Sequence, residues 1–109
     1  MDIQSKAIKN VGTKFYIKKN GQEVARAYLY VLHNDLHKEP FGLMEDVFVD
    51  EVLRGLGLGS DMVRMVIKEA KEKGCYKLIC TSRNEKPKVH EFYRKLGFRE
   101  QGKEFRIDF

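Results

Sequence analysis

An α/β fold with a mixed, mainly antiparallel central sheet and two crossover helices is predicted for this chain by three observations. Asn20-Gly21 separates two apolar, strand-like segments. A glycine-rich run, "RGLGLGS" (54–60), separates a third strand-like segment from a stretch of helical periodicity. A short apolar segment at 76–81 is then followed by a second helical stripe that ends at Gly97. Strand and helix patterns in that order imply a sheet with crossover helices.

The hairpin comes first. "TKFYIKK" (13–19), Asn20-Gly21 and "QEVARAYLYVL" (22–32) read as two antiparallel strands around the strongest short turn signal. "HNDLHKEP" (33–40) is polar and ends in proline, so it is a loop, and "FGLMEDVFV" (41–49) is the third strand, with two acids in its middle. Leu58, Met62, Met65, Val66, Ile67 and Ala70 keep helical spacing over 58–73, and Gly74 is a natural stop. "YKLICT" (76–81) is a short buried strand, which makes 41–81 a right-handed βαβ crossover. Pro87 suits the first turn of a second helix carrying Val89, Phe92, Tyr93 and Leu96. "FREQGKEFRIDF" (98–109) is expected to close the chain as one or two strands, turning near Gly102.

A length of 109 residues without repeats or a Pro/Ser-rich linker fits one domain, 1–109. The charge is +5, from 21 Lys and Arg against 16 Asp and Glu, and the basic residues are dispersed. Tyr16, Tyr28 and Tyr30 mix only loosely with cations and match no RNA-binding signature, so nucleic acid is disfavoured as a partner. Cys75 and Cys80 form no CxxC pair, and no histidine stands at a zinc spacing, so no metal and a reduced, cytoplasmic protein are expected. "MDIQSKAIKN" lacks the apolar core of a signal peptide, and no apolar run reaches membrane-spanning length.

The glycines of 54–60 need a reason, since each costs about 1 kcal/mol relative to alanine in a helix. Strand, glycine-rich turn and helix N-terminus together receive anions: unpaired N–H groups and about half a positive charge sit there, and glycine lets an anion approach the backbone. Arg54 flanks the turn, and Ser60 is placed to cap the helix or to add a hydroxyl contact. The run is not GxxxxGK[ST], and G-x-G-x-G is not the dinucleotide fingerprint G-x-G-x-x-G. On spacing alone, an anion-binding turn and a ligand-free tight turn both stand.

"RGLGLG" resembles the [RQ]-x-x-G-x-[GA] signature of the GNAT superfamily of N-acetyltransferases, with Arg54, Gly57 and Gly59 on its three specified places. "HEFYRKLGF" (90–98) is similar to the family's second segment, where a tyrosine lies near the thioester sulfur. The resemblance implies the acyl-CoA N-acyltransferase fold and acetyl transfer from acetyl-CoA to an amine by direct attack. It implies cosubstrate contacts from Arg54, Gly55, Leu56, Gly57, Leu58, Gly59 and Ser60. Val47, Phe48 and Val49 would pair with the pantetheine arm where the two middle strands splay, and the same strand would supply an N–H to the thioester oxygen.

Tyr93 is then the proton donor to the leaving thiolate. "MEDVFV" resembles a segment of the spermidine/spermine acetyltransferases whose glutamate lies at the acceptor site, which makes Glu45 the base and Asp46 the second candidate. Alternation sets these two acids on opposite faces; for either acid an ion pair with a Lys or Arg on a solvated face is the competing reading, and for Asp46 it is the favoured one. His33, His37, His90, Arg83 and Lys86 read as solvated or interface residues, and Met62, Met65, Phe92, Leu96 and Cys80 as packing. About a dozen residues precede the hairpin, where the family usually has a strand and two helices. An open cleft, or one completed by a second subunit in a homodimer, is therefore expected. The alternative is a non-catalytic GNAT-fold module that binds CoA or another partner.

Overall fold

The computed structural model describes residues 1–109 and contains β1 (Val11–Lys19), β2 (Gln22–Leu32), β3 (Phe41–Val49), a 3-10 turn (Glu51–Leu53), α1 (Leu58–Glu72), β4 (Leu78–Ile79) and α2 (Pro87–Lys95). The sheet order is β1-β2-β3-β4, antiparallel except for the parallel β3/β4 pair. The hairpin closes at Asn20 (φ 52°) and Gly21 (φ 77°), the pair of positive angles that a two-residue turn between right-twisted strands requires.

Hydrophobic burial joins one face of the sheet to one stripe of α1. Ala25, Ala27, Leu29 and Val31 of β2 and Met44 of β3 meet Met62, Val63, Val66 and Ala70 of α1. Val63 is fully buried although the apolar stripe read from the sequence omits it, and Met65, expected in the core, is half exposed. Leu29 is 1% exposed at the centre of this cluster. Leu29→Ala should therefore cost about 2–5 kcal/mol, the range for emptying a packed leucine site, measured as a loss of unfolding free energy in urea.

Two irregularities shape β2 and β3. Ile17 pairs Ala25 while Lys18 pairs Glu23, so Val24 is the extra residue; it is buried, and its carbonyl accepts a 2.7 Å bond from the Asp50 N–H. In β3, Glu45 pairs Tyr28 but Phe48 pairs Arg26, which inserts one extra residue. Asp46 carries the strain of that bulge, with φ at 51°. The bulge resets the alternation: Met44 faces α1 before it, and Val47 and Val49 pack against the same core after it.

β4 is shorter than the 76–81 expected, and it pairs β3 only at Gly42↔Leu78 and Leu43↔Ile79. From Met44 to Val49, β3 therefore has no strand beside its outer edge. A Cβ at Gly42 would stand 2.9 Å from Leu78 Cδ1 and 3.2 Å from Leu29 Cδ1, so glycine lets β4 approach here. The predicted strand or strands over 98–109 are not formed: this stretch has no regular structure, so α2 is not followed by a strand. No strand of the sheet stands beside it.

Candidate active site

Immediately after β3 the chain is fixed by two local bonds. Asp50 Oδ1 accepts from the Val52 N–H at 3.1 Å, closing the 3-10 turn, and Arg54 Nε donates to the Val49 carbonyl at 3.1 Å. Arg54 thus straps the loop to the end of the strand that precedes it. Gly55 (φ 87°) and Gly57 (φ 80°) then take left-handed angles. Gly57 is the N-cap of α1, and no side chain caps the helix; Ser60, expected as a possible cap, lies instead inside the first turn. The first intrahelical bond runs from the Asp61 N–H to the Gly57 carbonyl (3.0 Å). The N–H groups of Leu58, Gly59 and Ser60 precede it and have no intrahelical acceptor.

A cavity of about 290 Å³ lies on this turn, lined by Val49, Arg54, Gly55, Gly57, Leu58, Gly59 and Ser60 together with Leu53 and Phe92. Leu56 points out to solvent and does not line it, and neither do Val47 and Phe48. Leu53 and Phe92 were not singled out as site residues. Phe92 joins the turn to α2: a Cβ at Gly59 would stand 3.6 Å from Phe92 Cζ and 3.8 Å from Val49 Cγ2. The end of β3, the start of α1 and the middle of α2 therefore meet at one point.

Tyr93 follows Phe92 and packs against it and against Phe98, with ring centroids 5.5 and 5.4 Å away. Burial, then the neighbouring Cys80, then Glu45 push the Tyr93 phenol up to about 12. The Cys80 thiol is pushed up to about 11 by burial and by Glu45. Glu45, Cys80 and Tyr93 thus form one electrostatic cluster beside the place where β3 and β4 part. Cys80 was read as packing only. Its raised value keeps it a neutral thiol at pH 7, which removes it as a nucleophile.

Glu45 lies opposite Tyr28 on the face of the sheet turned away from α1. Tyr28 and Tyr30 are stacked there at 6.4 Å with a 6° interplanar angle, and the Arg26 guanidinium lies 4.7 Å over the Phe48 ring. Lys14 and Arg26 both pair with Glu23, so two cations share one carboxylate. Asp46 is exposed at the bulge, away from this cluster. His90 Nε2 donates to the Arg83 carbonyl at 2.8 Å, fixing the loop before α2 rather than facing Tyr93.

The chain matches the family model described as "Acetyltransferase (GNAT) family" over residues 3–98. It is 46% identical over 70 residues to a probable glucosamine 6-phosphate N-acetyltransferase 2 of Oryza sativa subsp. japonica, covering 62% of this chain and 39% of that protein. The chain thus spans about two-fifths of that relative's length. Among solved structures, a putative acetyltransferase from Agrobacterium tumefaciens str. C58 superposes with a TM-score of 0.82 at 33% identity, covering 90% of this chain and 69% of the other. An acetyltransferase from Trypanosoma brucei gives 0.79 at 34% identity, covering 92% and 69%.

Proposed function

Because the chain belongs to the acetyltransferase (GNAT) family, we propose that, as one domain over 1–109, it moves an acetyl group from acetyl-CoA to an amine. The observation that carries this reading is the convergence of the glycine turn, Val49 and Phe92 at one point, with Tyr93 packed against Phe92. The turn fits a diphosphate: N–H groups at the start of α1 and the left-handed glycines leave a cradle that no Cβ occupies, with Arg54 at its rim. The unpaired edge of β3 from Val47 to Val49 would take the extended pantetheine arm as an added strand. The bulge at Asp46 frees backbone N–H groups where a thioester oxygen would gather charge.

The acceptor amine arrives charged, since an alkylammonium loses its proton only near pH 10. Glu45 takes that proton, directly or through a water. The freed nitrogen attacks the thioester carbonyl, a C–N bond forms, and the C–S bond breaks with its electron pair leaving on sulfur. Tyr93 hydrogen-bonds the sulfur as it becomes a thiolate. A phenol held at about 12 against a thiol near 8.5 makes complete proton transfer uphill by about 5 kcal/mol, so Tyr93 serves mainly by donation.

The acceptor we infer is an amino sugar phosphate. Two features support it: the rice relative is named for glucosamine 6-phosphate, and the face bearing Glu45 carries Lys14 and Arg26 beside a stacked tyrosine pair. No helix is long and apolar enough to cross a membrane. Two free cysteines suit a reducing, cytoplasmic setting.

Release of free thiol from acetyl-CoA, assayed with amino sugar phosphates and unphosphorylated amines, tests the reading. Turnover with the phosphorylated sugar is expected. A rise in melting temperature with acetyl-CoA but no thiol release with any amine would leave a CoA-binding module instead.

Tyr93→Phe should lower kcat about 10²-fold while leaving the pH–rate profile below pH 10 unmoved, because Tyr93 keeps its proton throughout that range. The same raised value makes folding stability fall as pH climbs from about 10, the unfolded value, to about 12. Tyr93→Phe should flatten that fall, as read by urea unfolding at each pH.

A further inference from the structure

On the reading that acetyl-CoA is the cosubstrate, we propose that Arg54 is a positioning residue. Its guanidinium fills the last outward acceptor of β3 and so sets where the pantetheine arm stops along that edge, rather than gripping the diphosphate.

The direction of this bond follows from the ladder. A trans peptide unit points its N–H and its carbonyl in opposite directions. In the unit that joins Val49 to Asp50, the Asp50 N–H donates to the Val24 carbonyl of β2 at 2.7 Å. The Val49 carbonyl therefore faces the outer edge. β4 does not cover that point, because its pairing with β3 ends at Leu43↔Ile79. Arg54 Nε does reach it, 3.1 Å from the carbonyl. The same alternation leaves the Val49 N–H and the Val47 carbonyl on the outer edge, since Phe48 between them pairs with Arg26 of β2.

The turn between the two ends of this bond is closed by its own backbone. The Asp50 carbonyl accepts from the Leu53 N–H at 2.9 Å, and the Glu51 carbonyl accepts from the Arg54 N–H at 3.2 Å. The main-chain N–H of Arg54 is thus used inside the turn, and the unpaired N–H groups of the cradle begin beyond it. The Arg54 side chain is exposed, so water and salt screen its charge, while the Nε bond fixes a direction. A neutral carbonyl requires an N–H donor and not a charge.

An arm added to this edge pairs through its amides. With the Val49 carbonyl filled, the last open places are the Val49 N–H and the Val47 carbonyl. A slip of one pair repeat, about 7 Å at about 3.4 Å per residue, would carry the thioester away from Glu45 and Tyr93. A misplacement of about 1 Å can already cost about 10²-fold in rate. Removing the bond opens the filled place and frees the turn, so the rate falls with any donor that carries the arm.

Acetyl-CoA and S-acetylpantetheine, which has the arm and the thioester but no diphosphate, separate the two roles. With the amino sugar phosphate as acceptor, Arg54→Ala should lower kcat about tenfold with both donors. Arg54→Gln keeps an N–H donor and drops the charge, and should bring kcat back to within about threefold of wild type. In the ligand-free protein, amide exchange over residues 52–54 should quicken in Arg54→Ala and slow again in Arg54→Gln. A raised KM for acetyl-CoA alone, with Arg54→Gln as impaired as Arg54→Ala, would make Arg54 a diphosphate ligand and overturn the proposal. So would unchanged exchange in Arg54→Ala. Should S-acetylpantetheine turn over too slowly to read, recovery or loss in Arg54→Gln with acetyl-CoA decides alone. Wild-type protein that releases no thiol from acetyl-CoA refutes acetyl transfer itself, and the proposal with it; the other adverse outcomes leave wild-type turnover standing.

Discussion

Glu45→Gln should lower kcat about 10²- to 10⁴-fold, the usual worth of a positioned base, while leaving the affinity for acetyl-CoA unchanged. The change keeps the size and the hydrogen-bonding shape of the side chain and removes only its ability to take a proton. Glu45 does not line the cavity on the glycine turn, so cosubstrate binding by calorimetry should be indifferent to it. Asp46→Asn is the control: Asp46 is exposed at the bulge and should retain near-wild-type turnover. The reverse pattern, with Asp46→Asn inactive and Glu45→Gln active, would move the base one residue along the strand. Unchanged rates in both would hand proton removal to water alone.

Gly57→Val should raise the Kd for acetyl-CoA about tenfold or more. No heavy atom lies within 4 Å of where its Cβ would go, so lack of space is not the obstacle. The obstacle is conformation. At φ 80° and ψ 4° an L-residue is strained by about 1–2 kcal/mol, and a β-branched one more. The turn would relax to a negative φ and take the first N–H groups of α1 out of alignment. Gly21→Val supplies the matched control, with φ 77° and equally open space in the hairpin turn. Both variants should lose stability in urea, but only Gly57→Val should lose affinity. Equal affinities in the two would refute the assignment of the turn to the diphosphate.

Elements whose signals are local were legible in the sequence. Asn20-Gly21 fixes the hairpin because two consecutive positive φ angles suit few other residue pairs. Pro87 opens α2, and β3 runs from Phe41 to Val49 as its apolar content indicates. The site was legible as far as the glycine run and the Phe92–Tyr93 pair mark it. The rest depends on partners distant in sequence. Val63 is buried and Met65 half exposed because the sheet, not the helical period, selects the face of α1. Leu53 and Phe92 join the cavity wall only through the meeting of three elements. Cys80 and Tyr93 are brought together by packing on a common core, not by nearness in sequence. The segment 98–109 has the composition of a strand, yet pairing requires an edge, and the fold of one copy does not bring one to it.

The extra residue in β3 makes reading frame a structural property of that strand. Met44 and Val47, three apart, both face the core, so deleting one residue between them would remove the bulge and leave plain alternation, with Val47 and Val49 still inward. The change would fall instead on the break in the β2/β3 ladder at Asp46, which would close. A one-residue deletion here therefore acts on the bulge and not on the core, while the polar connection at 33–40 is free to grow or shrink.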